Sequence, residues 1–382
     1  MAKKNNIPEV DIVVDEKAGV IREVPTEPKL RSKKGHERRV NTGIYIVLIL
    51  MSLIWLCPFI FLVLQSFRGE SGGQVAYVIP KQWTLDNYRF LFEGVAFNLK
   101  ALVQSVPAVI LTVVSNAAGI FGMVAFLRRK PRNPYEESKG NVVNALYVFM
   151  VLLVINVMRC VDSTNCDFVR WFMNTLTIAL FCAVIQTIMV LSVSYTLSRM
   201  RFKGRKLIMN VVLVLGMFPG FLTMIVLYYL LKMMGLTQAG AVPGLILISC
   251  ASSGMGYYIS KGFFDTIPKS LDESARIDGA TRFQVFLKII MPMAKPIVIY
   301  TILMAFMGPW GDYVFASYVA FGHKASYNVA VGLYRWVNTN DYQGYFTRFC
   351  AGGVLVAIPI TALFMALQKY YVEGVTGGAV KG

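Results

Sequence analysis

Apolar residues fill long stretches of this chain, and polar ones gather between them. Runs near twenty residues recur at 43–66, 101–127, 142–158, 171–197, 207–231, 244–262, 296–317 and 348–369. As a helix, each is long enough to cross the roughly 30 Å of hydrocarbon in a bilayer. A helix also satisfies its own backbone hydrogen bonds, as lipid demands. The pattern therefore predicts an all-α polytopic membrane protein with eight spans, which puts both termini on one side.

The polar segments divide into kinds. Residues 1–41 mix both charge signs with three prolines and little apolar periodicity, and are expected to be a disordered extension. The segment 68–100 contains "PKQWTLDNYRFLF", too polar to span and suited to a short interfacial helix or loop. Residues 261–296 hold ten charged groups. One charge at the centre of a spanning helix costs roughly 2.5–3.5 kcal/mol, so this segment does not cross lipid. Its local signals predict two short helices. "SLDE" at 270–273 reads as a capping box, with the Ser270 hydroxyl accepting an early amide and Glu273 reaching back. Gly279 supplies a left-handed stop. "TRFQ" at 281–284 repeats the box and starts a second helix with Phe283, Phe286, Leu287 and Ile290 along one face, limited by Pro292. The product is a helix–turn–helix knob, whose small Ala275 and Ala280 let another protein's surface come close.

Composition agrees with lipid. The 382 residues are 56% hydrophobic and 15% charged, too apolar for a soluble domain of this length. The net charge of +17 first points to nucleic acid, but Lys and Arg cluster in short segments between apolar runs, which is a topology signal. Of the 38 Lys and Arg, 10, 5, 5, 6 and 2 fall in 1–41, 128–141, 198–206, 261–296 and the tail from 369. The positive-inside rule then places both termini in the cytoplasm. The first apolar run lacks a small-residue cleavage site and is expected to be a retained span. Cys57, Cys182, Cys250 and Cys350 fall in predicted spans, whereas Cys160 and Cys166 share one predicted outer loop and can pair. Histidines number two, so no His/Cys metal spacing arises.

The stretch "ESARIDGATRFQVFLKIIMP" resembles the cytoplasmic coupling loop of binding-protein-dependent ABC importers: Glu-Ala-Ala, three residues, Gly, a variable stretch, then a hydrophobic residue and Pro. Glu273, Ala275, Gly279, Ile290 and Pro292 fall on or near that pattern, with Ser274 in place of the first Ala and a slightly longer Gly-to-Pro spacing. "FFDTIPKSLDE", "NYRFLF", "RWFMNTL" and the tail "QKYYVEGVTGGAVKG" resemble the maltose/oligosaccharide type, in particular the shorter maltose-transporter membrane subunit. The likeness covers about 40–67, 78–94 and 168–382.

The resemblance implies a six-helix permease core. It also implies a second permease subunit in a heterodimer, two ABC ATPase subunits, and an extracellular or periplasmic solute-binding protein. ATP and Mg would be bound by the ATPases and no cofactor by this chain. Glu273, Ser274, Ala275, Asp278, Gly279, Ala280 and Pro292 would form the ATPase-coupling surface. Gly374, Thr376, Gly377, Gly378 and Lys381 of the tail would also reach the ATPase. The implied organisation is a 1–41 extension, a first span and outer segment over 42–100, an inserted transmembrane hairpin over 101–160, a core over 168–370 with its coupling loop at 263–295, and a tail over 371–382. The insertion departs from the family pattern, in which "NYRFL" runs almost directly into the "RWFxNTL" motif.

Other features narrow the function. "SGGQ" at 71–74 resembles the end of an ABC ATPase signature, yet no Walker A pattern occurs, so the chain is expected not to hydrolyse ATP. "PWGDYVF" places Asp312 beside Trp310 and Tyr313 in a span, a combination suited to sugar hydroxyls and ring faces, or else to an interfacial belt with Asp312 capping a break. In maltose-type relatives the partner subunit makes most substrate contacts. The rivals are a secondary active transporter, which should show repeated halves, and a membrane enzyme, which needs clustered acid–base groups.

Overall fold

The computed structural model describes residues 10–15, 20–25, 31–69, 78–99, 106–127, 146, 149, 152–153, 156–157, 160–163, 166–218, 220–251, 253–338 and 345–379. Two compact units emerge, Met1–Phe61 and Leu62–Gly382. In the first, Val10–Asp15 pairs antiparallel with Val20–Pro25. Val and Ile recur in both strands, and β-branched side chains favour extended backbone. A helix then begins at Arg31 and continues to Ser66, with its Val40–Ser66 portion strongly apolar.

Among the described residues, four helices are long and apolar enough to cross a membrane, and six spans result if each of two bent pairs counts once. The expected span at 207–231 divides into Arg205–Gly216 and Gly220–Met233, bent by 102° at a Met-Phe-Pro-Gly sequence. The eight-span expectation included 142–158, which lies largely outside the described residues, and 101–127, where Val106–Leu127 is a helix of apolar sequence.

Inside the larger unit, Phe168–Arg199 is the central helix. Lys295–Gly311, Gly254–Thr266, Ala241–Ala251 and Val329–Asn338 all pack on it. Its first half supplies Phe168, Trp171, Ile178 and Cys182 to one buried cluster, and its last turns supply Leu191 and Tyr195 to a second. One stiff element, about 40 Å long from Phe168 to Tyr195 at 1.5 Å per residue, thus joins the two cores.

The two motifs that flank the insertion act as clamps. Arg170 Nε donates to Ala325 O, Trp171 Nε1 to Lys324 O, and Asn174 Nδ2 to the Ala325 and Tyr327 carbonyls. Thr175 Oγ1 accepts the Val329 amide. These positions share one helix face and together hold the 324–329 loop. In the Asp86–Leu91 helix, which lies in the segment expected to hold a short interfacial helix or loop, Asn87 Nδ2 donates to the Ser66 and Arg68 carbonyls and Arg348 lies 3.6 Å over the Phe90 ring.

Val106–Leu127 packs on helical residues that include Leu152 and Asn156. Asn116 and Asn156 exchange amide hydrogen bonds at 2.9 and 3.3 Å, and a Cβ added to Gly119 would meet Leu152 at 2.2 Å. Polar side chains in an apolar setting act here as an interhelical staple. Replacing Asn116 with Leu is expected to weaken the pair by about 0.6–1.7 kcal/mol, read as earlier thermal unfolding of full-length protein in detergent. Cys160 and Cys166 are both buried, and no disulfide joins them in this structure.

Candidate functional site

The polar segment that interrupts the spans folds as two short helices joined by a tight turn. Ser270–Ile277 ends in a Schellman arrangement: Gly279 sits at φ 80°, its amide reaches Arg276 O at 3.1 Å, and the Ala280 amide reaches Ala275 O at 2.9 Å. Thr281 then caps Arg282–Val285 with both bonds of a capping box, Gln284 N to Thr281 Oγ1 and Thr281 N to Gln284 Oε1. The box expected at Ser270 is absent. Lys269 holds the N-cap position, and the Leu271 and Glu273 amides already donate to Pro268 and Lys269 carbonyls. Ser270 is therefore inside the helix, too far along to cap it.

The second helix widens into a π turn at Phe286–Ile290 before Pro292, then bends by 85° into Lys295–Gly311. The missing proline amide and its ring are compatible with such a widened turn. Widening changes which side chains face inward. Val285 and Ile290, five apart, are buried, and Phe286 packs beside them. Phe283 and Leu287, expected on the same face, are exposed instead.

Beneath the knob lies the second core, where Tyr195 packs on Phe286 with centroids 4.7 Å apart and on Phe264 at 6.1 Å. Ala275 is buried in this core and Ala280 packs on its edge. Sequence reasoning gave both alanines to an approaching partner. Their small size instead lets the knob close on its own base, Ala275 above all, because its Cβ points inward. Glu273, Ser274, Asp278, Gly279 and Pro292 are exposed, as are Ile277 at 85% and Phe283 at 69%.

The anchor that sequence reasoning missed is Arg199, at the last turn of the central helix. Nη2 donates to Ile267 O at 2.8 Å, and Nε lies 3.2 Å from Asp272 Oδ2, a charge contact without hydrogen-bond alignment. Burial, only partly offset by the Arg199 guanidinium, holds the Asp272 carboxyl above the usual carboxylate range. A cavity of about 400 Å³ opens between this anchor, the 200–205 loop and the first knob helix.

Asp312 occupies a different place. It ends Lys295–Gly311, accepts the Phe315 amide through Oδ1 at 3.2 Å, and receives Asn328 Nδ2 on its carbonyl at 2.6 Å. It also lines a cavity of about 220 Å³ with Gln186, Ser249 and Asn328. Trp310 and Tyr313 do not join it there. Trp310 is buried against Phe172 and Phe306, and Tyr313 stacks near Tyr334. The signal for Gln186 was present as a lone amide in an apolar run. This cavity is smaller than the roughly 300–1,000 Å³ typical of ligand pockets. Of the tail residues, Gly374, Thr376, Gly377 and Gly378 continue the Phe346–Ala379 helix, and Lys381 lies outside the described residues.

Residues 176–377 match the family described as binding-protein-dependent transport system inner membrane component. This chain belongs to that family. It is 38% identical to the galactooligosaccharides transport system permease protein GanQ of Bacillus subtilis (strain 168), over 56% of this chain and 75% of that protein. It is 36% identical to the maltodextrin transport system permease protein MdxG of the same organism, over 59% and 79%. The fold resembles a chain in the crystal structure of a bacterial ABC transporter involved in the import of the acidic polysaccharide alginate, with TM-score 0.55, 17% identity, and coverage of 91% of this chain and 100% of that one. The matched region contains the knob, its Arg199 anchor and the Asp312 cavity, and leaves out residues 101–160. The chain is thus an inner-membrane transport component with several membrane-spanning helices.

Proposed function

We propose that this chain is a permease subunit of an ATP-binding-cassette importer for a carbohydrate of the maltose/oligosaccharide class. The observation that carries the reading is the knob: a folded, charge-bearing pair of helices that leaves Ile277 and Phe283 uncovered. Two large apolar side chains on a polar projection suit a protein partner, because their burial supplies affinity that surface charge alone does not. The relatives' names supply the sugar class.

In this reading the knob seats in a cleft of a separate ATPase, with Glu273, Ser274 and Asp278 as its polar rim. Two ATPases bind ATP and Mg, and their closure shifts two permease subunits between inward- and outward-facing populations. Arg199 transmits the movement, because it ties the knob to the central helix that reaches the other core. A solute-binding protein delivers the sugar on the opposite face. The small Asp312 cavity fits a permease whose sugar path is completed by its partner subunit. Eight spans with both termini cytoplasmic satisfy the charge distribution, and the 101–160 hairpin is a peripheral insertion.

Purification of the tagged full-length chain from native membranes in mild detergent tests this. An ABC ATPase and a second permease should co-purify, and oligosaccharide uptake should be lost with the gene. Uptake that continues with no ATPase attached, driven by an ion gradient, would establish a secondary transporter instead.

A further inference from the structure

The 400 Å³ cavity beside the knob is strongly basic. Six cationic side chains line it, from Arg199, Arg201, Arg205, Lys269, Arg276 and Arg282, against two carboxylates, Asp272 and Glu273. A cavity lined with that imbalance of charge suits an anion. Arg199 sharpens the point. Its side chain is only 6% exposed, Nη2 and Nε are turned to Ile267 and Asp272, and Nη1 has no hydrogen-bond partner among the described residues. A buried guanidinium nitrogen without an acceptor is unusual, because buried polar groups are nearly always paired.

The surroundings say which anion. Arg201 and Arg205 are shared with a second opening of about 380 Å³, lined also by Phe202, Lys206 and Leu207. From there the helix Arg205–Gly216 runs on with Leu207, Val211 and Val214 exposed and with no buried residue. It begins at Gly204 without a side-chain cap, so its positive end adds to the cations. A ligand fitting both features has a phosphate at one end and long apolar chains at the other.

We propose that this cavity binds the headgroup of an anionic phospholipid, whose acyl chains lie along Arg205–Gly216. The lipid phosphate accepts from Arg199 Nη1 and from the Arg201 and Arg205 guanidinium groups. Basic clusters beside a spanning helix attract anionic headgroups in this way. Because Arg199 and Asp272 also fix the knob, the bound lipid braces the knob against the end of the central helix. The inference goes beyond the transport reading and does not depend on the solute carried.

Native mass spectrometry of the full-length chain in detergent tests it, with phosphatidylglycerol and phosphatidylcholine of matched acyl chains, and with glycerol phosphate as the headgroup alone. Wild type should retain phosphatidylglycerol about tenfold better than phosphatidylcholine. The double variant R201Q/R205Q should lose that preference, while Lys232→Gln, away from the cavity, should keep it. Arg199→Gln should lose it as well, and the double variant keeps the test intact if that buried change unfolds the protein. Equal retention of both lipids by wild type overturns the proposal. So does saturation by glycerol phosphate alone, which would make the site one for a soluble anion. Unchanged lipid preference in R201Q/R205Q, with loss of a co-purifying ATPase, would assign the cavity to a protein partner and also overturn it.

Discussion

Replacing Gly332 with alanine is expected to destabilise the chain by about 2 kcal/mol, although the residue lies inside a helix where alanine is normally the better choice. A Cβ built on Gly332 falls 1.9 Å from Cε3 of Trp171 and 2.3 Å from its Cδ2. No such contact survives, so the indole or the Val329–Asn338 helix must move. The indole is held on several sides: Nε1 donates to Lys324 O at 3.0 Å, and Trp336 and Tyr327 pack on it with centroids 5.4 and 6.4 Å away. Overpacking of this kind costs roughly 1–3 kcal/mol and sometimes more. The gain in helix propensity returns only about 1 kcal/mol. Gly262→Ala makes the contrast, since its Cβ meets nothing within 4 Å on the exposed side of Gly254–Thr266; it should stabilise by up to about 1 kcal/mol. The folded fraction after heating in detergent separates the two. In a Trp171→Leu background the penalty at Gly332 should fall to near zero, a non-additivity expected only if the two residues collide. A full penalty in that background would place its origin elsewhere.

Trp171 also shows how far sequence carries. Its place in "RWFMNTL" was readable as part of a family motif, but not its purpose. The bonds from Arg170, Trp171, Asn174 and Thr175 run to residues more than 150 positions away, and nothing local encodes that pairing. Apolar runs located the central helix because lipid imposes length and composition directly. Thr281 and Gly279 were legible for a similar reason: a capping box and a left-handed glycine are local geometry. Legibility failed where neighbours changed the phase. The N-cap at Lys269 put Ser270 inside the helix, and the π turn at Phe286–Ile290 left Phe283 and Leu287 facing outward. Arg199 was counted only as a topology charge, since its partner Asp272 is fixed by tertiary packing.

Substitutions at Gly279 should grade ATPase attachment in the order Gly, Asn, Ala, Pro, with proline abolishing it. The cost is conformational rather than steric. Nothing lies within 4 Å of an added Cβ, but the backbone stands at φ 80°. An ordinary L residue there costs roughly 1–2 kcal/mol, while asparagine adopts this region more readily. Such a cost lowers the population of correctly angled knob about five- to thirty-fold. Proline is worse on two counts. Its ring locks φ near −65°, and it removes the amide that reaches Arg276 O, leaving the first knob helix without half of its terminal turn. The second core should nonetheless survive, because Ala275, Val285 and Ile290 are anchored by Tyr195 and Phe264 on other helices. Co-purification from native membranes reads the two effects separately. The second permease should remain with every variant, while the ATPase falls off along the series and is absent with Gly279→Pro. If alanine and asparagine behaved alike and proline kept its ATPase, the turn would not be setting the angle between the knob helices. Docking would then rest on the exposed Ile277 and Phe283 alone.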